Sequence, residues 1–600
     1  MLGLSYPFNP SDIIKNKKKY KKALLSDDSK RMTKNIAILG GSTVDHIKDV
    51  LELFLLDNGI IPNFYQSEYG MYWEDAVFGN AELDDFSPDI IYVHTTTRNL
   101  ESYFPSVTDT AEECIKKLNA AKEHFLTAWQ SLEKKFSCPI IQNNFEMPHY
   151  RLLGNLDGAD IHGATYFVRK MNDFVAEHAL EKQSFYLNDI DYVSSCYGID
   201  KWSDLTFWYM FKYAMCLEAI PEFAFNLSNI IKSIYGRSKK ALVLDMDNTL
   251  WGGIVGDDGV EGLELGTETP VAQGFTEFQR YVKKHKDMGV MLTVCSKNDH
   301  ENAIAGLNHP DSELSPDDFL NIKANWEPKH INIANIAKEL NIMTDSLVFV
   351  DDNPAERAIV KESLPCAVPE IDSVENYIKI LDRNGYFEAT AISEDDIKRN
   401  EMYKANAARE KELSAFEDYG EYLTSLNMCA EIKSFAPVYI QRIAQLTNKS
   451  NQFNLTTRRF TPQEITTAME DEHYITLYGK LTDKFGDNGV VSVVLGEKDA
   501  NTLHIRLWLM SCRVLKRDME YAMLDTLVEK ARAQGIDTLY GYYYPTAKNN
   551  MVKTLYKDFG FTLTSEDESG NTVWSLSTAN YVNKNRYIKV NLLLRKGNLI

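Results

Sequence analysis

The sequence predicts a multidomain α/β protein, and three observations carry that expectation. Short apolar runs without alternation, Ile36-Ala-Ile-Leu39, Ala241-Leu-Val-Leu244 and Leu347-Val-Phe-Val350, each stop at a glycine or an aspartate. Such runs read as strands buried on both faces, the kind found inside parallel sheets. The stretches between them are helical in pattern, which gives the strand–helix alternation of doubly wound domains. The third observation is length: 600 residues at 44% apolar content exceed what one core organises and imply three or four domains.

In chain order, residues 1–34 are read as a basic helical segment, with Lys15-Asn-Lys-Lys-Lys-Tyr-Lys-Lys22 on a solvated helix. A polybasic membrane contact would need an apolar face or a lipidation site, and neither accompanies it. Met1-Leu-Gly-Leu-Ser-Tyr-Pro7 has no basic segment followed by an apolar core, so no signal peptide is expected and the chain is assigned to the cytoplasm. The longest apolar runs fall far short of a membrane span. Eight cysteines with neither C-x-x-C nor zinc spacing argue for free thiols. A net charge of −21 argues against general nucleic-acid binding and leaves local basic patches open.

Residues 35–235 alternate strands and helices. Asn35-Ile-Ala-Ile-Leu39 runs into Gly40-Gly-Ser42-Thr43, and Ile90-Ile-Tyr-Val93 runs into His94-Thr-Thr-Thr-Arg98-Asn99. This doubly wound domain resembles the SGNH hydrolase fold, in which the nucleophilic serine follows the first strand; Ser42 matches that position. The family's closing Asp-x-x-His is missing, because the nearest candidate is Asp204-Leu-Thr-Phe207. A serine without a base is a poor nucleophile. A scaffolding or substrate-docking role is therefore expected, with His94 and His162 as the histidines that would have to substitute.

Residues 236–385 hold the stretch around which the chain is organised, Ala241-Leu-Val-Leu-Asp245-Met-Asp247-Asn-Thr249-Leu-Trp251-Gly-Gly253. Asp245 and Asp247 are two apart at a strand end, so an extended chain sends both carboxylates one way. Ligand crevices of open α/β sheets lie beyond those carboxyl ends. Paired carboxylates need a cation, and hard oxygen ligands suit magnesium. A second strand, Val290-Met-Leu-Thr-Val-Cys295, ends in Ser296-Lys-Asn298, and a third, Leu347–Val350, ends in Asp351-Asp352-Asn-Pro354, with Trp326-Glu-Pro-Lys329 between them. Taken alone, Ser296 is a turn serine and Lys329 a solvated lysine; the ordered set is what argues otherwise. It resembles the four motifs of the haloacid dehalogenase (HAD) superfamily in its capless, Rossmann-like form. That resemblance implies Asp245 as nucleophile, Asp247 as acid and base, Ser296 and Lys329 as holders of the phosphoryl group, and magnesium on Asp245, Asp247, Asp351 and Asp352, with the direct ligand of the last two left open.

Ser393-Glu-Asp-Asp396 reads as a capping box opening a charged connector helix within 386–425. Residues 426–580 form an α+β unit and 581–600 a tail. Val490–495, His504-Ile-Arg-Leu-Trp-Leu509, Met510-Ser-Cys512-Arg513-Val-Leu-Lys516-Arg517-Asp518, Thr546-Ala-Lys-Asn549 and Leu555-Tyr-Lys-Asp-Phe-Gly-Phe561 resemble the GNAT acyltransferase fold. In that fold a glycine-rich turn at a helix start cradles the pyrophosphate of coenzyme A with backbone N–H groups. Arg513 keeps the first position, while Lys516 and Asp518 replace the glycines; a carboxylate there repels phosphate. Lys516 and Arg517 leave a phosphopantetheine arm open as the alternative to coenzyme A, with Arg513, Lys516 and Arg517 as the candidate cofactor-binding residues.

The order of these parts, with Asn451-Gln-Phe-Asn-Leu-Thr-Thr-Arg458-Arg459 and Ser511-Cys-Arg-Val-Leu515, resembles the FkbH-like proteins over roughly residues 35–576. The resemblance implies removal of phosphate from 1,3-bisphosphoglycerate and delivery of a glyceryl group to an acyl carrier protein. Cys512, beside Arg513, is the candidate acyl carrier, since a neighbouring cation stabilises a thiolate; against it, cysteines at strand ends are commonly buried hydrophobes. Two other readings stay open. One is a stand-alone magnesium phosphatase of a small phosphate ester, which needs only the HAD residues. The other is a non-catalytic scaffold for polysaccharide or polyketide assembly.

Overall fold

A computed structural model describes residues 3–26, 31–450, 452–546 and 548–591. The chain forms two compact units, Met1–Ile234 and Tyr235–Ile600.

The first unit is built on a parallel sheet of β1 (Met32–Gly40), β2 (Ile60–Gln66), β3 (Ile90–His94), β4 (Ile140–Asn143) and β5 (Phe185–Asn188), in the order β2-β1-β3-β4-β5. The last five residues of β1 and all of β3 and β4 are buried, as non-alternating apolar strands covered on both faces must be. Strand order reverses between β1 and β3, which opens a crevice at their carboxyl ends where Ser42 and His94 follow. The basic N-terminal helix, Pro10–Leu25, departs from the expectation of a solvated one. It buries Ile13, Tyr20 and Leu24, and pairs Lys17 with Asp49 at 2.7 Å and Lys21 with Glu52 at 2.8 Å. The lysines masked this stripe because they occupy the positions between it.

The second unit contains two sheets. β6 (Ala241–Leu244), β7 (Met291–Ser296), β8 (Asn321–Ala324) and β9 (Leu347–Val350) lie parallel in the order β8-β7-β6-β9. β6 and β9 are wholly buried, so the residues that follow them emerge together at one end of the sheet. The connector is two helices, Glu394–Ile397 and Arg399–Leu413, rather than one, with Ser393 and Asp396 forming the expected capping box.

The other sheet has eight strands: β10 (Cys429–Lys433), β11 (Tyr474–Asp483), β12 (Gly486–Asp499), β13 (Thr502–Met510), β14 (Thr538–Tyr543), β15 (Thr562–Glu566), β16 (Thr572–Ser577) and β17 (Lys589–Val590). It is antiparallel except where β13 pairs with β14 and β10 with β17. The helix Met519–Ala533 makes the crossover between β13 and β14 and packs into the core with Trp508 and Leu539. This is the α+β arrangement expected of an acyltransferase-like domain. The segment read as a tail joins it: Tyr581 and Ile588 are buried and β17 lies along β10. Residues 592–600, together with Asn451 and Ala547 of the quoted motifs, lie outside the described residues. Among the described residues no helix is long and apolar enough to cross a membrane.

Candidate functional site

The carboxyl ends of β6, β7 and β9 and the start of the helix Lys329–Glu339 bring the expected residues together. Asp245 leaves β6 with its amide bonded to Val350 O at 2.9 Å, which ties it to the end of β9. Lys329 opens its helix after Pro328 and is 4% exposed. Its Nζ lies 2.9 Å from Asp245 Oδ2 and 2.5 Å from Asp351 Oδ2. Burial works against the ammonium, yet the Asp245 and Asp351 charges hold it above the usual lysine range. Lys329, which the sequence reading made a holder of the phosphoryl group, is thus buried between two carboxylates.

Asp245, Asp351 and Asp352 each offer a carboxylate oxygen, all within 4.8 Å of one another. Burial, and then the Asp245 charge, pushes Asp351 up to about 6 and raises Asp352 as well. Three oxygens so placed, only partly offset by one lysine, form a donor set for a hard divalent cation. Asp245 Oδ1 adds a second sign: it is buried without a hydrogen-bond partner. A buried acceptor in that condition costs stability unless a ligand satisfies it.

The Asp247 carboxylate stands apart from this cluster, which corrects the expectation that it joins the metal ligands. Oδ1 accepts from Trp251 Nε1 at 3.0 Å and Val255 N at 3.1 Å, and Oδ2 accepts from Asn298 Nδ2 at 3.0 Å. Burial raises its pKa, with Asp245 adding to the effect. A carboxyl fixed by three donors and moved toward neutrality suits proton transfer. Ser296, 2% exposed, ends β7 beside it.

Three supporting residues carry little sequence signal. Arg357 donates to the carbonyls of Asp351 and Asp352 at 2.8 and 2.7 Å, and Thr249 Oγ1 accepts from Asp352 N at 3.2 Å. Trp251 packs its indole edge where a side chain at Gly306 would stand. Only the spacing Asp351-Asp-Asn-Pro-x-x-Arg357 hinted at the first.

The first unit holds a second constellation. Ser42 Oγ lies 3.0 Å from His94 Nε2, and His94 Nδ1 lies 2.8 Å from Tyr92 OH and 3.2 Å from Asn143 Nδ2. Ser42 is 1% exposed and His94 0%, and burial lowers His94 to about 3. Among the described residues no carboxylate is hydrogen-bonded to the ring, and a base this weak and sealed is poorly matched to neutral pH. Asp204 instead caps the helix Leu205–Phe211, and His162 pairs with Asp160 at 2.6 Å.

Cys512 falls elsewhere. It begins the turn Cys512–Val514 after β13, and its carbonyl accepts from Asn341 Nδ2 at 3.2 Å. Asn341 lies past the far end of the helix that Lys329 opens, about 16 Å of helix away. The chain that continues from Asn341 bonds Lys240, whose amide donates to Ser346 O at 2.8 Å; Lys240 precedes β6, while Asp245 follows it about 16 Å along the strand. The thiol and the carboxylates therefore occupy opposite ends of one sheet.

The expected phosphate cradle is filled from within. Lys516 and Asp518 adopt φ of 62° and 67°, the left-handed shape that glycines would take. The Lys516 amide donates to Glu520 Oε1 at 3.1 Å, so a carboxylate of the chain itself takes this backbone donor. Arg517, expected to bind a cofactor, is buried between Asp483 at 3.5 Å and Asn406 at 3.1 Å. Arg459 donates to the carbonyls of Thr447 and Asn448.

Residues 35–232 match the family model of the FkbH N-terminal domain. Among solved structures, the N-terminal part of a Bacteroides fragilis protein containing a phosphatase domain, complexed with Mg, is 28% identical. It is covered over 99% of its length, spans 62% of this chain and superposes with a TM-score of 0.58. An Escherichia coli ribosomal-protein-S18-alanine N-acetyltransferase is 14% identical, with 99% of it and 26% of this chain covered and a TM-score of 0.20. A GNAT-family acetyltransferase from Streptococcus pneumoniae is 15% identical, with 98% of it and 25% of this chain covered and a TM-score of 0.21. No curated protein matches the chain significantly.

Proposed function

We propose that this chain, which carries an FkbH N-terminal domain ahead of a phosphatase-type domain, is a magnesium-dependent phosphoryl-transfer enzyme working through an aspartyl-phosphate on Asp245. The carrying observation is the buried arrangement of Lys329 between Asp245 and Asp351 with Asp245 Oδ1 unpartnered. Asp245, Asp351 and Asp352 would hold the ion, which supplies charge neutralisation for a phosphoryl group entering among carboxylates.

The chain's own residues account for the rest. Asp245 Oδ1 attacks phosphorus, and the bond to the leaving oxygen breaks as that oxygen takes a proton from Asp247. Water then attacks the phosphoaspartate, gives a proton to Asp247, and leaves orthophosphate and a free Asp245. Lys329 and the Ser296 hydroxyl hold the equatorial oxygens, and Trp251, Val255 and Asn298 keep Asp247 aimed.

The finer reading is that phosphoryl chemistry is coupled to transfer of a glyceryl or similar small acyl group from an acyl phosphate, such as 1,3-bisphosphoglycerate, to an acyl carrier protein through Cys512. Thiolate attack at the acyl carbon expels phosphate and leaves a thioester. The FkbH match and the acyltransferase-like topology around Cys512 support it. The distance between Cys512 and Asp245 favours a second reading, an independent phosphatase of a small ester. Intact-mass spectrometry with Mg2+, 1,3-bisphosphoglycerate and a phosphopantetheinylated carrier protein separates them. Glyceryl mass on the carrier that vanishes in Cys512→Ala supports coupling. Asp245-dependent phosphate release with an unmodified carrier leaves the phosphatase alone.

A further inference from the structure

The N-terminal edge of the parallel sheet in the second unit carries more positive charge than its neighbours offset. Lys240 leads into β6, Arg399 comes from the connector, Arg442 and Lys449 from the helix Ile440–Lys449, and Arg513 follows Cys512. Contacts draw these cations together: Asp396 bridges Arg399 and Lys449, its neighbour Asp395 holds Arg442, Arg513 reaches Met402 one turn from Arg399, and Arg399 Nη1 donates to Gly289 O at 2.9 Å, two residues before Met291, whose amide bonds Lys240 O. They are thus one cluster drawn from four parts of the chain.

The carboxylates nearby are too few. Asp396 serves both Arg399 and Lys449, the latter at 3.3 Å, and Asp395 serves Arg442 at 2.7 Å. Arg513 finds a hydroxyl, Ser511 Oγ at 3.2 Å, and the sulfur of Met402. Among the described residues neither Arg513 nor Lys240 has a carboxylate within ion-pair distance. Burial lowers the pKa of Lys240 and Lys449 and brings Arg399 and Arg442 down to about 10, the response of cations held away from water near like charges. Yet the side chains of Arg399, Arg442 and Lys449 remain 20%, 11% and 35% exposed. Deeply surrounded cations that keep partial access line a recess. Cys512 belongs to the same end of the sheet, since it directly precedes Arg513 in the turn after β13 and its carbonyl accepts from Asn341 Nδ2 at 3.2 Å.

We propose that this recess is a phosphate-binding site, formed by Lys240, Arg399, Arg442, Lys449 and Arg513, which seats the phosphate of a small phosphorylated acyl donor beside the Cys512 thiol. A dianion satisfies the two unpaired cations, and guanidinium groups match phosphate oxygens in geometry as well as charge. The assignment rests on the coupled-transfer reading for the role of Cys512, but the anion site itself does not depend on Asp245. It gives that reading a docking point at the thiol end of the sheet, away from Asp245, Asp351 and Asp352 and where cations outnumber the two carboxylates Asp395 and Asp396.

The test is alkylation of Cys512 by neutral iodoacetamide, followed by peptide mass spectrometry on the full chain carrying Asp245→Asn. The exposed Cys196 is the internal reference. With inorganic phosphate or 3-phosphoglycerate at ten times its dissociation constant, Cys512 labelling slows about tenfold, since about one site in eleven stays free, while Cys196 is unaffected. Lys240→Gln and, separately, Lys449→Gln abolish the protection; in an otherwise natural chain both keep Asp245-dependent phosphate release, which reports folding. Equal slowing by potassium chloride at matched ionic strength, or protection retained in both variants, overturns the site. Protection by phosphopantetheine but not by either small phosphate overturns the donor assignment. Loss of phosphate release in the natural chain sinks the phosphatase reading and leaves the recess standing.

Discussion

Lys329→Met is the substitution whose consequences follow most directly from the geometry. It removes the ammonium bonded to both Asp245 and Asp351 and leaves two buried carboxylates facing each other. Deleting one partner of a buried ion pair typically costs about 3–5 kcal/mol. The cost should depend on pH, and its sign is fixed. Asp351 holds its proton up to about 6 in the folded chain against an ordinary 3.8, so it binds protons more tightly folded than unfolded. Such a group favours folding at low pH and loses that contribution as pH rises through the folded pKa, here about 3 kcal/mol for roughly two units. Lys329 lowers the Asp351 pKa, so without it the titration moves upward and the ionised pair is worse at neutral pH. The assay is thermal unfolding of the full chain in EDTA and in Mg2+, reading the transition that Mg2+ shifts. The variant should melt well below the natural protein at about pH 8, and the gap should narrow toward about pH 5 as Asp351 protonates. A gap that is absent, or that stays constant across that range, would refute the placement of Lys329 between two ionised carboxylates.

Further outcomes follow from the same site. Asp245→Asn should abolish phosphate release while raising the melting temperature in EDTA, because it removes the charge that raises Asp247, Asp351 and Asp352. Asn298→Ala should lower kcat about tenfold with little change in KM, since Asp247 loses one of three donors and its aim rather than its identity. Arg357→Gln should cost about 1–3 kcal/mol by leaving the Asp351 and Asp352 carbonyls without their donor, and should weaken Mg2+ binding measured by calorimetry.

Much of the candidate site was legible because its information is local. Non-alternating apolar strands ending in Asp245, Ser296 and Asp351 announce both a parallel sheet and which end of it is chemical, and Pro328 places Lys329 at a helix start. What the residues hold on to was not legible. The Asp247 carboxylate looks identical in sequence whether it meets a metal or meets Trp251, Val255 and Asn298, and only packing decides. Lys516 and Asp518 were expected to spoil a glycine turn, yet they adopt its backbone shape, and the carboxylate that fills it belongs to Glu520, two residues further on. The buried stripe of Ile13, Tyr20 and Leu24 was hidden among lysines, and the pairing of Ser42 with His94 depends on the neighbouring of β1 and β3.

The placement of Asp245 and Cys512 at opposite ends of β6 makes the chemistry divisible. Neither end borrows a side chain from the other, so damage at one should leave the other whole. Two populations of the protein, one carrying Asp245→Asn and the other Cys512→Ala, should together perform a sequence that neither performs alone, provided the intermediate passes through solution or on a carrier. An obligatory internal hand-over would make such mixtures as dead as their components.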